Sequence, residues 1–353
     1  MASPGDIAEL RVRGARRREW TGVRVTAGLT RAARDFELQL APPPPLAPMP
    51  ARIFDDIELL LGGDLVVTGA IDDVRVRGTP TGTTLTVTGR SRTAQLIDNS
   101  ARKPWVGHRD LTVAEFAARL ADPYGVDVVV DLGSRRLKPI EECAVTAAES
   151  VWSAVDRYAR AAGVLVADTP AGALLVTESG RGSAQVLRGG TGYTVALSGR
   201  KLYREYEVIG QTAGGPTGAP RAGVTASARD DRVPAHRYLA LRAEAQTDSD
   251  RAQDRALFEA TTRAGQALTI SYTVPGWRGD TGALWAPGDT VALDDPVARV
   301  RGRLVVSEVT WRAGAGGSET DLTLVPRAAL PLRGLAGGTP ADDVDVTALW
   351  GGR

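Results

Sequence analysis

Reactive side chains are scarce in this sequence. Of 353 residues one is a cysteine, Cys143, and two are histidines, His108 and His236. A lone cysteine excludes an intrachain disulfide and every metal site built from several thiolates. Two histidines far apart in sequence argue against a histidine-based zinc centre. Lysine is nearly missing: only Lys103, Lys138 and Lys201 stand among 43 basic residues. None of them follows a glycine, so the Gly-Lys-Ser/Thr phosphate loop is absent. Gly-x-Ser-x-Gly, His-Glu-x-x-His and paired Cys-x-x-Cys motifs are absent too. No apolar run approaches the roughly 18 residues that cross a bilayer. Met1 to Glu19 is studded with Arg and Glu and lacks the apolar centre of a secretion signal. These absences predict a protein made in a cytoplasm, with no cofactor, no metal and no stable membrane insertion.

Charge is nearly balanced, 43 basic against 42 acidic residues. Arginine abundance is therefore a poor sign of nucleic-acid binding. The densest basic run, Arg11 to Arg18, reads either as a solvated strand and turn or as a face toward a partner or DNA.

What the sequence has is alternation. Ile7 to Val12, Val23 to Val25, Phe36 to Leu40, Ile71 to Val76 and Leu85 to Val87 alternate apolar and polar residues, as strands with one buried face do. Residues 1–98 thus read as all-β. Pro42 to Pro45 cannot donate ladder hydrogen bonds and reads as an extended loop. Gly62-Gly63 marks a turn. The pattern changes near residue 99. Thr112-Val113-Ala114-Glu115 is a capping box, with Leu111 and Phe116 at the staple positions. Val113, Phe116, Ala117 and Leu120 form one stripe, and Asp122-Pro123 ends the helix. A strand is expected at Val126 to Val130 and a second helix at Glu149 to Ala162, closed by Gly163. A hairpin through Thr169 to Gly172 follows. β character resumes at Arg181. Residues 212–236 are rich in Gly, Pro and Ala and read as a loop. A third helix is expected at Ser249 to Ala264, strands at Leu268 to Val274 and Val291 to Leu293, and an extended tail from Pro331 to Arg353.

One internal echo stands out. Gly63 to Thr68 (Gly-Asp-Leu-Val-Val-Thr) resembles Gly302 to Ser307 (Gly-Arg-Leu-Val-Val-Ser). Some 20 residues on, Leu85-Thr86-Val87 parallels Leu322-Thr323-Leu324. Two β modules sharing one fold would produce such an echo, and so would chance in a β-rich chain. The fold expected is α+β, mainly β: two modules like β-barrels or sandwiches plus a small α+β module. Expected limits are 1–98 for the first β module and 99–180 for the α+β module. The second β module takes 181–210 and 265–330, around an inserted loop and helix at 211–264. The tail is 331–353.

Motifs that suggest chemistry have plainer readings. His108-Arg109-Asp110 matches a kinase catalytic loop, but Glu115 stands where a metal-binding Asn is required. Arg278-Gly279-Asp280 reads as a turn between strands. The acid doublets Asp55-Asp56, Asp72-Asp73 and Asp294-Asp295 flank strands and turns, where Asp is favoured; two facing acids would be needed for glycoside hydrolysis. Trp152 and Trp311 read as core or edge packing. Trp350, in a tail with no core of its own, either packs on its own subunit or anchors to a partner.

Across nearly the whole chain the order of local patterns resembles the baseplate hub family of Mu-like contractile-tailed phages. The resemblance rests on Trp20-Thr21-Gly22-Val23, Phe36-Glu37-Leu38, Val67 to Asp73 followed by Gly89 to Asp98, and Pro123 to Val126. It continues through Glu149 to Trp152, Tyr158 to Gly163, Gly276-Trp277 and Leu284 to Asp289. Ala148 departs from the pattern, where a glycine is expected, and puts one turn in doubt. The resemblance implies a non-enzymatic homotrimeric torus, similar to the T4-type hub. Two β modules per chain would build the ring, with the α+β module outside or above it. Implied partners are the central spike protein, a tail tube or distal tube adaptor and other baseplate proteins, with DNA only in transit. The implied location is the tail baseplate of a virion assembled in a bacterial cytoplasm. The competing readings are a peptidoglycan- or carbohydrate-binding tail module, which residues 145–178 faintly resemble, and a tail hydrolase.

Overall fold

The structure is a computed structural model that describes residues 6–41, 49–80, 82–102, 109–140, 142–212, 221–246, 249–330 and 344–345. Seven strands come first: β1 (Ala8–Val12), β2 (Ala15–Arg17), β3 (Gly22–Gly28), β4 (Asp35–Leu40), β5 (Asp56–Leu61), β6 (Asp64–Thr79) and β7 (Gly82–Ser91). There follow α1 (Ala94–Asp98), α2 (Val113–Ala121), β8 (Val128–Asp131), α3 (Val151–Ala162), β9 (Leu165–Asp168) and β10 (Leu174–Thr177). Next are β11 (Ala184–Leu187), β12 (Gly192–Leu197), β13 (Glu205–Thr212), β14 (Arg221–Arg229), β15 (Tyr238–Gln246) and α4 (Ser249–Gln266). The last strands are β16 (Leu268–Pro275), β17 (Thr290–Asp295), β18 (Val300–Gly314), β19 (Gly317–Val325) and β20 (Val344–Asp345). The chain forms two compact units. The larger holds Met1–Tyr193, Ser271–Leu293 and Val305–Leu324; the smaller holds Thr194–Ile270, Asp294–Leu304 and Val325–Arg353.

The larger unit is built on a long sheet ordered β16-β19-β18-β3-β4-β7-β6-β5-β1-β2. Among the described residues the path stays open, so this mainly β fold contains no closed barrel. Alternation works as the sequence predicts: Val25, Leu38, Leu59, Leu85 and Val87 are fully buried. Gly62 and Gly63, both at positive φ, make the two-residue turn that pairs Leu61 with Asp64. A register shift between Ile71 and Asp73 changes which residues of β6 face the core. Where β6 and β7 cross closely, a Cβ on Gly89 would meet the Ala70 carbonyl at 2.2 Å and Phe36 at 2.6 Å. Only glycine fits there.

A second sheet, β8-β10-β9, carries α2 and α3. The capping box forms as read: the Glu115 amide donates to the Thr112 hydroxyl, and the Thr112 amide donates to the Glu115 carboxylate at 2.8 Å. Leu111 and Phe116 are both in the core, with Leu120, Val151, Val155, Leu174 and Val176. Phe116 meets Tyr158 edge to face at 5.0 Å. α3 starts at Val151, two residues later than expected, because Ser150 caps it and Glu149 turns back to accept from the Thr146 amide. α2 gives way to a one-turn 3-10 helix at Asp122–Tyr124. α1 is a five-residue helix inside the stretch expected to be all strand. It is too short to show a helical period, and it drives Leu96 into the second core.

Arg34 ties the two sheets together. It lies between β3 and β4, and its guanidinium meets the Asp168 carboxylate of β9 at 3.1 Å. Their side chains are 9% and 1% exposed. The Arg34 side chain also donates to the Val66 carbonyl at 3.0 Å, and its amide reaches both Ser91 and Asp168.

In the smaller unit β13 lies between β14, antiparallel, and β15, parallel. α4 packs on them through Ala252 and Ala256 against Val208 and Ala228. β14 corrects the expectation of a loop over 212–236. Its alternation, Val224-Thr225-Ala226-Ser227-Ala228, uses side chains too small and too weakly apolar to signal a strand. The tail is also not wholly unpaired, since β20 lies antiparallel to β18. The expected Pro42 to Pro45 loop and the rest of the tail lie outside the described residues.

Two consequences can be measured. Removing one partner of the buried pair, as in Asp168→Ala, strands the Arg34 cation and is expected to cost about 3–5 kcal/mol in chemical denaturation. Ala148 adopts φ +64°, the region that favours glycine, in the turn before α3. Ala148→Gly should therefore raise stability by about 0.5–1 kcal/mol, the left-handed strain relieved less the entropy glycine costs; a lower melting temperature would contradict this.

Candidate functional site

The most developed surface is the polar side of the large sheet. Alternation that sends Phe36 and Leu38 inward points Glu37 and Gln39 outward on β4, and likewise Thr84, Thr86 and Thr88 on β7. Beyond the β6 bulge, Asp73, Arg75 and Arg77 join this side. Two shallow recesses of about 330 and 290 Å³ lie along it, and Glu37 and Gln39 line both. Cations and anions are interspersed: Arg24, Arg75, Arg77 and Arg312 against Glu37, Asp73 and Glu319. Arg312 reaches Asp321 at 2.7 Å, and Gln39 donates to Glu37 at 2.7 Å. Such a face offers hydroxyls and neutralised charge, and no apolar pocket to trap a small ligand.

The other candidates take structural places. Arg11, Arg16 and Arg18 gather on Glu9; Arg13 pairs with Asp55 and Arg17 with Glu19. The Arg11 guanidinium, then that of Arg18, hold the Glu9 carboxyl below its usual range. Each arginine of the basic run therefore has an acidic partner. Asp55 also accepts from the Arg52 amide, Asp72 pairs with Arg90, and Asp294 lies 3.5 Å from Arg301. Asp295 caps the turn amides of Val297 and Ala298. Among the described residues no group of three His, Cys, Asp or Glu side chains is arranged for a metal. Arg278 to Asp280 sits in a turn, with Arg278 bridged to Leu284. Trp311 is buried, and Trp152 packs half-buried against the α+β core. His108 and Trp350 lie outside the described residues.

Asp289 closes the segment Leu284 to Asp289. Its carboxylate accepts from the Ser183 and Ala286 amides at 2.8 and 2.9 Å. Burial pushes its pKa up, against the downward pull of those bonds. It shapes the loop rather than meeting solvent.

Sequence reading missed two exposed features. Phe54 is 80% exposed at φ +66°, pinned by its amide to the Ile71 carbonyl at 2.8 Å. β8 is the outer strand of its sheet and exposes Val129 and Val130. Neither could be foreseen, because an apolar residue in a sequence reads as core until its neighbours are known. The internal echo has a structural counterpart. Gly63 to Thr68 leads into β6, which pairs with β7, while Gly302 to Ser307 lies on β18, which pairs with β19. Both are long antiparallel hairpins, with first strands of 16 and 15 residues.

Comparison with known proteins accounts for most of this architecture. Residues 7–91 match the N-terminal domain of the Mu phage baseplate assembly protein GpP-like family. Residues 93–178, which include the segment faintly like a wall-binding repeat, match the second domain of the baseplate hub protein gp44-like family. Residues 248–332 match the fourth domain of the Mu phage baseplate assembly protein GpP. The baseplate hub protein gp44 of Escherichia phage Mu is 29% identical over 323 residues, 87% of this chain and 84% of that protein. The 43 kDa tail protein of prophage MuSo2 from Shewanella oneidensis shares the fold at a TM-score of 0.81 and 22% identity, over 93% of this chain and all 100% of that one. The E. coli protein c3393, a type VI secretion component described as similar to the T4 tail proteins gp27 and gp5, shares it at 0.56 and 12% identity, over 89% and 76%. Hub-family domains thus follow one another along the chain in the order the local patterns suggested, on the fold of a Mu-type tail protein, and the chain belongs to the baseplate hub family of Mu-like phages, as a structural protein of the tail.

Proposed function

We propose that three copies of this hub protein close into a ring that joins the tail tube to the central spike and matches six-fold to three-fold symmetry. The pair of echoing hairpins, β6–β7 and β18–β19, carries this reading. Two similar hairpins per chain and three chains present six similar units around a true three-fold axis. In this arrangement residues 1–98, and 181–210 with 265–330, are the ring modules. The α+β module at 99–180 lies outside or above the ring, and the tail 331–353 reaches a partner. Partners are the spike, a tube or tube adaptor and other baseplate proteins, and assembly takes place in the host cytoplasm. The likeness to c3393, a type VI secretion component itself described as similar to the T4 tail proteins gp27 and gp5, supports a place among the proteins of tails and related injection machines.

The polar side of the large sheet suits the lumen. A passing nucleic acid slides over a surface whose arginines are offset by acids, and stalls on one that binds its phosphates tightly. The work of the protein is then done by interfaces, which in obligate rings bury about 2,000 Å² or more in total.

Light scattering of the purified chain over a range of concentrations should give the trimer mass. A chain that remains monomeric even with the spike protein added would overturn the ring. Changing Thr84, Thr86 and Thr88 to Arg places cations along the proposed lumen. Phage carrying this variant should adsorb normally but eject DNA more slowly, with relief at higher salt; unchanged ejection would show that this face lies elsewhere.

A further inference from the structure

We infer that β8 of one copy joins the free edge of β6 in the next copy, beside Phe54, so that the ring closes head to tail. The inference rests on the ring reading above and concerns two edges of the larger unit. β5 accompanies β6 only as far as Ala70. The last backbone bonds on that side run from the Phe54 amide to the Ile71 carbonyl at 2.8 Å and from the Ile71 amide to the Asp55 carbonyl at 3.1 Å. From Asp72 to Thr79, β6 has β7 on one side and, among the described residues, no strand on the other. Ile53 and Phe54 stand exposed at the inner end of this edge, and Val76 is 56% exposed along it. The second edge is β8, the outer strand of β8-β10-β9. The Leu174 amide donates to the Asp127 carbonyl at 2.8 Å. In a parallel ladder this turns the backbone groups of Val128 and Val130 outward, away from β10.

The two edges are unlike, and their difference selects the partner. On β6, Arg75 and Arg77 alternate with Val74 and Val76; both arginines are exposed and have no acidic partner among the described residues. β8 and the residue before it read Asp127-Val128-Val129-Val130-Asp131. Asp127 is exposed and makes no ion pair among the described residues. Asp131 keeps one carboxylate oxygen available, since Arg181 bonds only Oδ1. Val126 and Val128 face the core of the α+β module, with Leu174 and Val176. An added strand that sets Val74 and Val76 beside Val128 and Val130 therefore sets Arg75 and Arg77 on the side of Asp127, Val129 and Asp131. Opposite charges across strands favour this pairing, and like charges oppose β6 on β6 or β8 on β8. Within the chain the two edges do not meet. Unlike edges make a head-to-tail contact, which closes into a ring when the rotation allows; like edges would give a two-fold pair. A strand of four residues holds weakly alone, and closure at every junction of a ring raises its effective concentration. Phe54 fits the same account. Its left-handed backbone is strained, and the Asp55 carboxylate holds the turn through the Arg52 amide at 2.8 Å. The pairing takes Phe54 and the Val129-Val130 edge out of solvent together.

The test uses the full chain in two variants, Val76→Cys with Val130→Cys and Val76→Cys with Val128→Cys, under mild oxidation. Between them they cover the registers that keep the apolar side chains on one face, and opposed positions on paired strands lie within disulfide reach. Native Cys143 is buried, so the parent chain serves as an uncrosslinked control. Light scattering of the reduced variants and non-reducing gels of the oxidised ones are read side by side. The head-to-tail edge predicts covalent trimers from one of the two variants. It also predicts covalent dimers when chains carrying Val76→Cys alone are co-assembled with chains carrying only the matching change on β8. A trimer in which neither variant crosslinks between chains overturns the pairing and leaves the ring intact. A parent chain that stays monomeric even with the spike protein added overturns the ring, and the pairing with it. As a second measure, Val130→Pro removes an outward amide and spares the ladder to β10. Its melting temperature should stay near that of the parent, while the concentration needed to form the trimer rises about tenfold. Arg75→Glu with Arg77→Glu, on exposed side chains, should weaken the trimer about threefold, and adding Asp127→Arg should recover part of the loss. Unchanged assembly in these variants would likewise overturn the pairing.

Discussion

Burying a guanidinium is tolerable only if each of its nitrogens finds an acceptor. Arg34 meets that condition by drawing on separate parts of the larger unit: the Asp168 side chain and carbonyl at the end of β9, and the Val66 carbonyl on β6. Its amide adds Ser91 at the end of β7. Partners so distant in sequence can converge only when both sheets are complete. The interaction is therefore a condition on the fold as well as a contribution to it. It holds the α+β module against the first β module, and at the same junction Gly172 approaches the Thr68 carbonyl so closely that a Cβ there would lie 2.7 Å away.

Around that fixed junction, arginine serves as a structural residue. It gathers on Glu9 and bridges Asp72 and Asp98 through Arg90. Arg135 donates to the last carbonyls around α3, at Ala162 and Gly163. The planar, multidentate guanidinium suits such bridging better than an ammonium would. A chain almost without lysine can thus be rich in positive charge and still present surfaces close to neutral.

Hub function of this kind leaves little trace as a motif. A catalytic centre concentrates a few side chains of distinctive chemistry, whereas an interface spreads its work over edges, hairpins and complementary charge. Both exposed apolar features, Phe54 and the Val129-Val130 edge, use ordinary residue types, although Phe54 takes a left-handed backbone conformation. Asp55, Asp72, Asp294 and Asp295 were conspicuous in sequence and proved to be occupied in caps and ion pairs, while Asp73 lines a recess on the polar face. The two segments of the short echo both fall at the start of a long strand that pairs with the strand after it, because a buried strand followed by a return strand constrains both composition and spacing.

By itself the sequence determined the local features: the alternating strands of the first module, the Thr112–Glu115 box, the Gly62-Gly63 turn and the closing of α3 at Gly163. Each depends on residues a few positions apart, whose periods and hydrogen bonds need no distant partner. It also determined family membership through the order of those features. Tertiary structure alone decided that β1 to β7 join β18, β19 and β16 in one open sheet, that Arg34 reaches Asp168, that Ala148 takes a glycine conformation, and that β14 forms where small residues suggested a loop. Those outcomes depend on pairing between segments far apart in the chain. Strand order and burial follow from the summed packing of all of them, and no local pattern records that sum.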